Sequence, residues 1–291
     1  MNKNLLYPLL SPFFSAGMLL CSEILTVKYN ISPIFLMLLL NAIGGSILFL
    51  CVKNRIKKAR QIAATHPFLL AGASVFSYLL SGLATFYAAS QIGSTKISFA
   101  LQLETVFVVA FAVLFLKEKL TKKTISAGLL IVCGGILLQM QNTGIIFTWT
   151  DIVVFLAPFL FSIGILLNTE LLRHHDALAV TAFGQISVAV LLCIFLPWLN
   201  TSLTGIALLF ILLMSVLEGF AWLFYNKGLA TVGASVTTIL FGIVPFFTLL
   251  FSFVFNRFFE NYFIIPKNIW FVIAGGMCIF AGIVVISKSN P

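Results

Sequence analysis

The chain has 291 residues, of which 61% are hydrophobic and 9% are charged. Soluble domains are about half apolar and about a quarter charged, so this composition excludes a soluble protein and indicates an integral membrane protein. The formal net charge of +9 does not indicate nucleic-acid binding, because the basic residues lie in short connections between apolar stretches, where they would face a membrane surface.

The apolar stretches predict an all-α membrane protein. A spanning helix needs about 20 predominantly apolar residues, and the first stretch is too long for the core of a cleavable signal peptide. We expect ten transmembrane helices, at residues 5–26, 33–52, 67–90, 95–116, 124–141, 150–170, 178–198, 205–226, 231–256 and 268–287.

The distribution of Lys and Arg predicts the orientation. With the N-terminus inside, 13 of the 17 basic residues fall on the cytoplasmic side, as the positive-inside rule requires. Both termini are therefore expected in the cytoplasm. The asymmetry is concentrated in the first half of the chain.

The cysteines and histidines predict no metal site and no cofactor. All five cysteines fall within apolar stretches, and none forms a CxxC pair. His174 and His175 adjoin Asp176 in a connection that we expect to be solvated, and His66 is isolated in the sequence.

An internal repeat divides the chain. Aligning residues 92–116 with 232–256 without gaps pairs Gly93 with Gly233 and Thr105 with Pro245. Two further matches, both offset by 147 residues, pair glycines of the fifth and tenth helices and polar residues of the first and sixth. The halves are expected at 1–145 and 146–291. Because each holds five helices, the second should have inverted topology; the glycines also suit close helix packing.

Two segments carry a family resemblance. The segment "FALQLETVFVVAFAVLFLKEKL" resembles the signature of the drug/metabolite transporter superfamily, EamA type, and "FYNKGLATVGASVTTILFGIVPFFTLLF" is similar to its counterpart in the second half. The resemblance implies a secondary transporter that works by alternating access. It also implies a central cavity lined mainly by helices 1, 3, 4, 6, 8 and 9.

Glu104 lies near the middle of the fourth predicted span. A charged side chain at mid-bilayer costs about 2.5–3.5 kcal/mol on insertion scales, and such residues usually face the bundle interior or a water-filled cavity. Glu104 is therefore a candidate for substrate binding or ion coupling. The alternative is a structural residue that hydrogen-bonds a neighbouring helix.

The eighth predicted helix carries a second carboxylate with aromatic neighbours. Trp222 and Tyr225 follow Glu218 at i+4 and i+7, on one helical face. Acidic groups beside aromatic faces suit an amino, ammonium or sulfonium group. Ordinary aromatic packing is the alternative, since the chain has 31 phenylalanines.

Polar residues on three other helices are further candidates for the cavity wall. Tyr78, Ser81 and Thr85 lie on one face of the third helix, and the alternative there is hydrogen bonding between helices. The remaining candidates are Ser15 and Met18 on the first helix and Ser162 on the sixth.

Four charged residues near helix ends are candidate gates. Glu23 and Glu170 are equivalent in the repeat but should lie near opposite membrane faces. They could form gates with Lys28 or Lys96 outside and with Arg173 or Lys227 inside. Solvated helix ends are the simpler alternative.

These features predict a transporter of small amphipathic metabolites in a bacterial cytoplasmic membrane. Amino acids or their derivatives are expected first, and cationic sulfonium or quaternary ammonium compounds next. A channel-like facilitator is an alternative, and a receptor or enzyme a more distant one, because no catalytic or nucleotide-binding motif is present. The expected partners are a small-molecule substrate, the lipid bilayer and protons as coupling ions, with no nucleic acid, and the expected state is a monomer.

Overall fold

The computed structural model describes residues 3–139, 149–198, 203–258, 262–263 and 269–288, and the regular structure in these ranges is helical. The predicted boundary between the halves, at 145–146, lies outside the described residues. The α-helices of the first half are α1 (Leu6–Glu23), α2 (Pro33–Cys51), α3 (Arg55–Thr65), α4 (Pro67–Ala73), α5 (Ser81–Ile92), α6 (Ser94–Ala100), α7 (Gln102–Phe115) and α8 (Lys122–Gln139). Those of the second half are α9 (Trp149–Leu172), α10 (Ala177–Leu192), α11 (Gly205–Val232), α12 (Ala234–Phe241), α13 (Val244–Phe255) and α14 (Ile269–Ser287).

Seven helical segments among the described residues are long and apolar enough to cross a membrane. Two shorter apolar helices, Gln102–Phe115 and Trp270–Ile286, add to them. The prediction of an all-α membrane protein is therefore confirmed. The count of ten spanning helices and the cytoplasmic location of both termini stay predictions.

Two of the predicted spans are broken helices. The span 95–116 divides at Leu101 into α6 and α7, and the span 231–256 divides at 242–243 into α12 and α13. Pro245 explains the second break, because proline has no N–H and its ring clashes with the carbonyl four residues earlier. The first break forms without a proline. There the Gln102 side-chain amide donates a hydrogen bond to the Gly242 carbonyl, so the two breaks meet.

Each pair of broken helices begins after a glycine in a backbone conformation that other residues rarely adopt. Gly93 precedes α6 with φ of 84°, and Gly233 precedes α12 with φ of 85°. This equivalence is the one that the sequence alignment predicts. Side chains with a Cβ pay a steric penalty at such positive φ.

A distant carboxylate caps the first turn after each of these glycines. Glu23 Oε2 accepts hydrogen bonds from the backbone N–H of Ser94, at 2.7 Å, and from its hydroxyl. Glu118 accepts from the backbone N–H groups of Ala234, at 2.7 Å, and Ser235, at 3.1 Å. Both carboxylates satisfy N–H groups that the helices leave unpaired and oppose the positive helix ends.

The helices contact each other in a pattern that repeats between the halves. In the repeat, α1 corresponds to α9. The helix α1 packs on α11 and α13, while α9 packs on the counterparts of those helices, α5 and α7. The helix α2 packs on its own counterpart α10, and α8 packs on α14. Reciprocal contacts of this kind are expected when two similar halves are related by a two-fold axis.

The connection between the second and third predicted spans forms a helix that the sequence analysis did not anticipate. This helix, α3, contacts α4 and α10, and Ile62 is buried against them. It is short and strongly basic, so a search for long apolar stretches passes over it. Lys57 and Arg60 lie on its exposed side, and Lys53 lies just before its first residue.

Close helix contacts depend on several glycines, and Gly164 makes one of the tightest. A Cβ at this position would lie 2.7 Å from the Ser77 Cα and would also meet the Ser77 backbone nitrogen. Gly164 on α9 therefore allows the backbones of the sixth and third predicted spans to approach. Gly205, at the start of α11, has nothing within 4 Å of the same position.

We expect Gly164→Ala to lower the thermal unfolding temperature of the purified protein. The added methyl group forces the two backbones apart, and overpacking of this kind costs about 1–3 kcal/mol. Thermal unfolding in detergent measures the change, with Gly205→Ala as the matched control. Equal unfolding temperatures for the two variants would contradict the tight contact.

Candidate functional site

A cavity lies in the interior of the helix bundle, at the level of the two helix breaks. It leaves about 70 Å³ for water-sized molecules, which is room for several waters. Its wall comes from the six helices that the family resemblance implies. The lining residues are Ser11, Ser15, Met18, Leu19, Ser77, Tyr78, Ser81, Gly82, Thr85, Phe86, Leu101, Glu104, Phe161, Glu218, Ala221, Trp222, Tyr225, Phe241 and Val244.

Glu104 enters this cavity from the first turn of α7, directly after the break at Leu101. Its side chain is only 1% exposed. The Tyr225 hydroxyl donates to Glu104 Oε1 at 3.0 Å, and the same hydroxyl lies 2.7 Å from Thr238 Oγ1. The second oxygen, Oε2, is buried without a hydrogen-bond partner. A buried polar atom without a partner costs about 1–3 kcal/mol and is a position that a ligand donor or a proton can stabilise.

Glu218 enters the cavity from α11, 5% exposed. Trp222, four residues later on the same face, donates its indole N–H to Glu218 Oε1 at 2.8 Å. This bond aligns the carboxylate with the indole. The predicted face of Glu218, Trp222 and Tyr225 is present, and all three residues line the cavity.

Aromatic rings surround Trp222. The Tyr78 ring centroid lies 4.2 Å from that of Trp222, and the Phe161 centroid lies 5.3 Å from it. Phe161 also meets Tyr225 edge-on at 5.7 Å. These faces provide the π surfaces that attract organic cations when water is excluded. The sequence analysis did not identify Phe161, because no local pattern distinguishes it from the other phenylalanines.

Tyr78 belongs to a π-helical stretch, Ser74–Leu80, between α4 and α5. A π-helix changes the direction of the side chains that follow it, and such stretches often occur at functional sites. The Asn226 side-chain amide donates to the Tyr78 hydroxyl at 3.0 Å and to Thr181 Oγ1 at 2.8 Å. Asn226, which the sequence analysis did not select, therefore holds the tyrosine ring against Trp222.

Four of the candidate wall residues line the cavity, namely Ser15, Met18, Ser81 and Thr85. Ser162 is not among the lining residues: it is fully buried, and its hydroxyl donates to the Pro158 carbonyl at 2.6 Å. A serine hydroxyl in an apolar helix often bonds to the carbonyl one turn earlier. Its place in the repeat therefore does not make it a lining residue.

Of the candidate gate residues, Glu23, Glu170 and Lys227 are not among the residues that line the cavity. Glu23 caps α6, so its carboxylate is engaged by backbone and hydroxyl donors of Ser94. Glu170 pairs with Arg173 at 2.7 Å in an exposed ion pair at the end of α9. An exposed pair of this kind contributes about 1 kcal/mol or less.

The two candidate lysines differ in how far the structure describes them. Lys227 places its ammonium 5.1 Å above the Tyr7 ring and 5.8 Å above that of Phe224. It therefore makes cation–π contacts at the end of α11. The side chain of Lys96 lies outside the described residues.

The three histidines, which are separated in the sequence, lie together in the structure. His66 Nδ1 lies 3.0 Å from His175 Nε2, and the His66 ring stacks on that of His174 at 4.8 Å. Lys58 pairs with Asp176 at 3.2 Å beside them. This cluster joins the end of α3 to the connection between α9 and α10.

Comparison with known proteins adds a family and a fold. The profile of the EamA-like transporter family matches the chain twice, over residues 2–140 and 148–288. The structure resembles that of a protein of known crystal structure, with a TM-score of 0.71 at 17% identity, over 96% of this chain and 97% of the other. An identity this low shows a shared fold alone. No curated protein sequence matches the chain.

The histidine cluster predicts a pH-dependent contact at the end of α3. Partial burial and the neighbouring His66 and His174 lower the pKa of His175, so the folded contact favours the neutral ring. Since the unfolded or detached segment then binds more protons, the contribution to stability is present above about pH 6.5 and is lost as the pH falls below it. Among the charged groups nearby, Lys58 pairs with Asp176, and Glu170 pairs with Arg173. Glu170 Oε1 also lies 3.7 Å from His174 Nε2, which concerns His174 and not His175.

We expect faster amide hydrogen exchange around residues 62–66 and 174–176 at pH 5.5 than at pH 7.5, after correction for intrinsic rates. The measurement is hydrogen–deuterium exchange with mass spectrometry on the purified protein. His175→Gln should remove most of this difference. Unchanged protection between the two pH values would contradict the titration of this contact.

Proposed function

Because the chain belongs to the EamA-like transporter family, we propose that it is a secondary transporter that moves small amphipathic metabolites by alternating access. The family and the apolar helices make it an integral membrane protein. We assign it to the cytoplasmic membrane of a bacterium, as a monomer with both termini inside. Protons are the proposed coupling ions.

The observation that carries this proposal is the free oxygen of Glu104 in the interior cavity. The side chain is 1% exposed and Oε2 has no hydrogen-bond partner. Tyr225 holds the other oxygen, so the free oxygen has a fixed position. An ammonium group of a substrate, or a proton in its absence, would satisfy it. This exchange is the basis of a proton-coupled carrier.

The chemistry of the wall supports amino compounds as substrates. Trp222, Tyr78 and Phe161 offer aromatic faces, and Glu218 adds a second carboxylate. Amino acids and their derivatives are the first candidates, followed by sulfonium and quaternary ammonium metabolites. No Lys, Arg or His is among the lining residues described for the cavity, so phosphorylated anions would lack the cationic partner that they require.

The helix breaks support alternating access. A broken helix allows its two parts to tilt independently, and broken helices at the substrate site are common in carriers built from inverted repeats. Here both breaks adjoin the cavity, and the bond from Gln102 to Gly242 connects them. Motion of one half against the other would change this connection and the access to Glu104.

Counterflow distinguishes a carrier from a channel-like facilitator. Proteoliposomes are loaded with unlabelled amine and diluted into labelled amine. The measurement is the uptake of label against its concentration gradient. A carrier shows transient accumulation and saturation. A channel shows neither, and an enzyme would convert the solute.

We expect Glu104→Gln to abolish proton coupling or to weaken the binding of cationic substrates at least tenfold, which corresponds to about 1.4 kcal/mol or more. Glutamine keeps the shape of the side chain and can still accept from Tyr225, so the protein should insert and fold. Uptake in proteoliposomes across a pH series measures the effect.

Asp176→Asn is the control for loss of a carboxylate, since Asp176 is an exposed residue that pairs with Lys58 and is not among the residues that line the cavity. It should leave transport unchanged. If Glu104→Gln transports at the rate and with the pH dependence of the unmodified protein, Glu104 is structural. Loss of folded protein in this variant would instead identify a role in helix association.

A further inference from the structure

Two carboxylates face the same interior cavity, and the described lining offers them no basic side chain. The whole chain has only eight acidic residues, so this cavity holds a quarter of them. Both are buried, Glu104 at 1% and Glu218 at 5% exposure. An unpaired buried charge is strongly unfavourable, so each carboxylate requires a proton or a cation.

Donors at different positions along α11 hold the two carboxylates. Glu218 and Tyr225 are seven residues apart on α11, which corresponds to about 10 Å along the helix axis at about 1.5 Å per residue. Tyr225 reaches Glu104 across the cavity, whereas Glu218 is held by Trp222. The ring centroids of Trp222 and Tyr225 lie 6.0 Å apart. This arrangement provides two separate acceptors rather than one shared site.

The described lining offers a carboxylate on the substrate hydroxyl groups but no cationic side chain. The Ser11 hydroxyl donates to the Ala221 carbonyl and the Ser81 hydroxyl to the Ser77 carbonyl, which leaves the uncharged hydroxyls of Ser15 and Thr85. The positive end of α7 adjoins the cavity, but Glu104 in its first turn already opposes it. A zwitterion would therefore leave its anionic group poorly matched.

We propose that this cavity binds a linear organic dication, an α,ω-diamine, with one ammonium group at Glu104 and the other at Glu218, and exchanges it for two protons. The inference rests on the proposed carrier function and narrows its substrates: among amino-acid derivatives it places diamines, which lack the carboxylate, ahead of the amino acids themselves. The aromatic wall of Trp222, Tyr78 and Phe161 covers the methylene chain and contacts the ammonium groups. Two protons move against one dication, so the exchange is electroneutral.

Three compounds of the same chain length test the proposal on the unmodified protein. Pentylamine has one ammonium group, pentane-1,5-diamine has two, and lysine adds a carboxylate to the diamine. We expect the diamine to raise the unfolding temperature most and to compete at least tenfold better than either of the others in proteoliposome uptake. Diamines from propane-1,3-diamine to octane-1,8-diamine should show an optimum length.

Stoichiometry provides a second readout that requires no variant. Uptake of the diamine should export two protons per molecule, as measured with an internal pH dye. Its rate should be insensitive to a membrane potential set with potassium and valinomycin. One proton per molecule, or a potential-dependent rate, would overturn the two-carboxylate assignment.

The variant Glu218→Gln tests the division between the two acceptors. Its amide oxygen can still accept from Trp222, so the indole should keep its position. We expect the preference for the diamine over pentylamine to disappear, with one proton exchanged per pentylamine through Glu104. Asp176→Asn should keep the full preference, and a Glu218→Gln protein that also keeps it would overturn the proposal.

The outcomes separate this inference from the carrier function. Saturable counterflow of pentylamine and the diamine with equal affinity would refute the dication site and leave the carrier in place. Stronger competition by lysine than by the diamine would do the same, since it would reveal an acceptor for the carboxylate. Absence of counterflow for all three compounds, in protein that is folded by thermal unfolding, would count against both proposals.

Discussion

The energetic cost of two carboxylates inside an apolar bundle constrains the structure around them. Glu104 is stabilised by Tyr225 and Glu218 by Trp222, and both donors belong to α11. Two further residues hold those donors in place: Thr238 lies beside the Tyr225 hydroxyl, and the Tyr78 ring packs against Trp222. All of these groups are buried, so a substitution that removes one of them would leave its partner without a hydrogen bond or a ring contact.

The same constraint explains why the polar groups are distributed over broken helices. An unbroken helix satisfies its backbone internally and presents only side chains to a cavity. The breaks at Leu101 and at 242–243 leave backbone carbonyls available, and the Gln102 side chain uses one of them to join the halves. Non-helical backbone within a membrane is tolerated where protein or a cavity surrounds it. The breaks and the cavity therefore depend on each other.

How much of this could be predicted from the sequence depended on the range of each interaction. Glu218, Trp222 and Tyr225 share a helix face, and their spacing alone placed them together. The glycines before α6 and α12 were equivalent in the alignment, and both have positive φ. Phe161, Asn226 and the capping Glu118 could not be found this way, because their partners lie more than forty residues away in the chain. The repeat pairs Ser162 with Ser15, but a local bond to the Pro158 carbonyl satisfies the Ser162 hydroxyl, and the serine is not among the lining residues.

The cap on α12 also joins the two halves of the chain. Glu118 belongs to the first half, yet the N–H groups that it satisfies, on Ala234 and Ser235, belong to the second. A second half produced as a separate polypeptide would begin this helix with uncapped amides. Completion of α12 therefore depends on both halves of the chain. Splitting it between the repeats would require the fragments to reassemble before α12 could be completed.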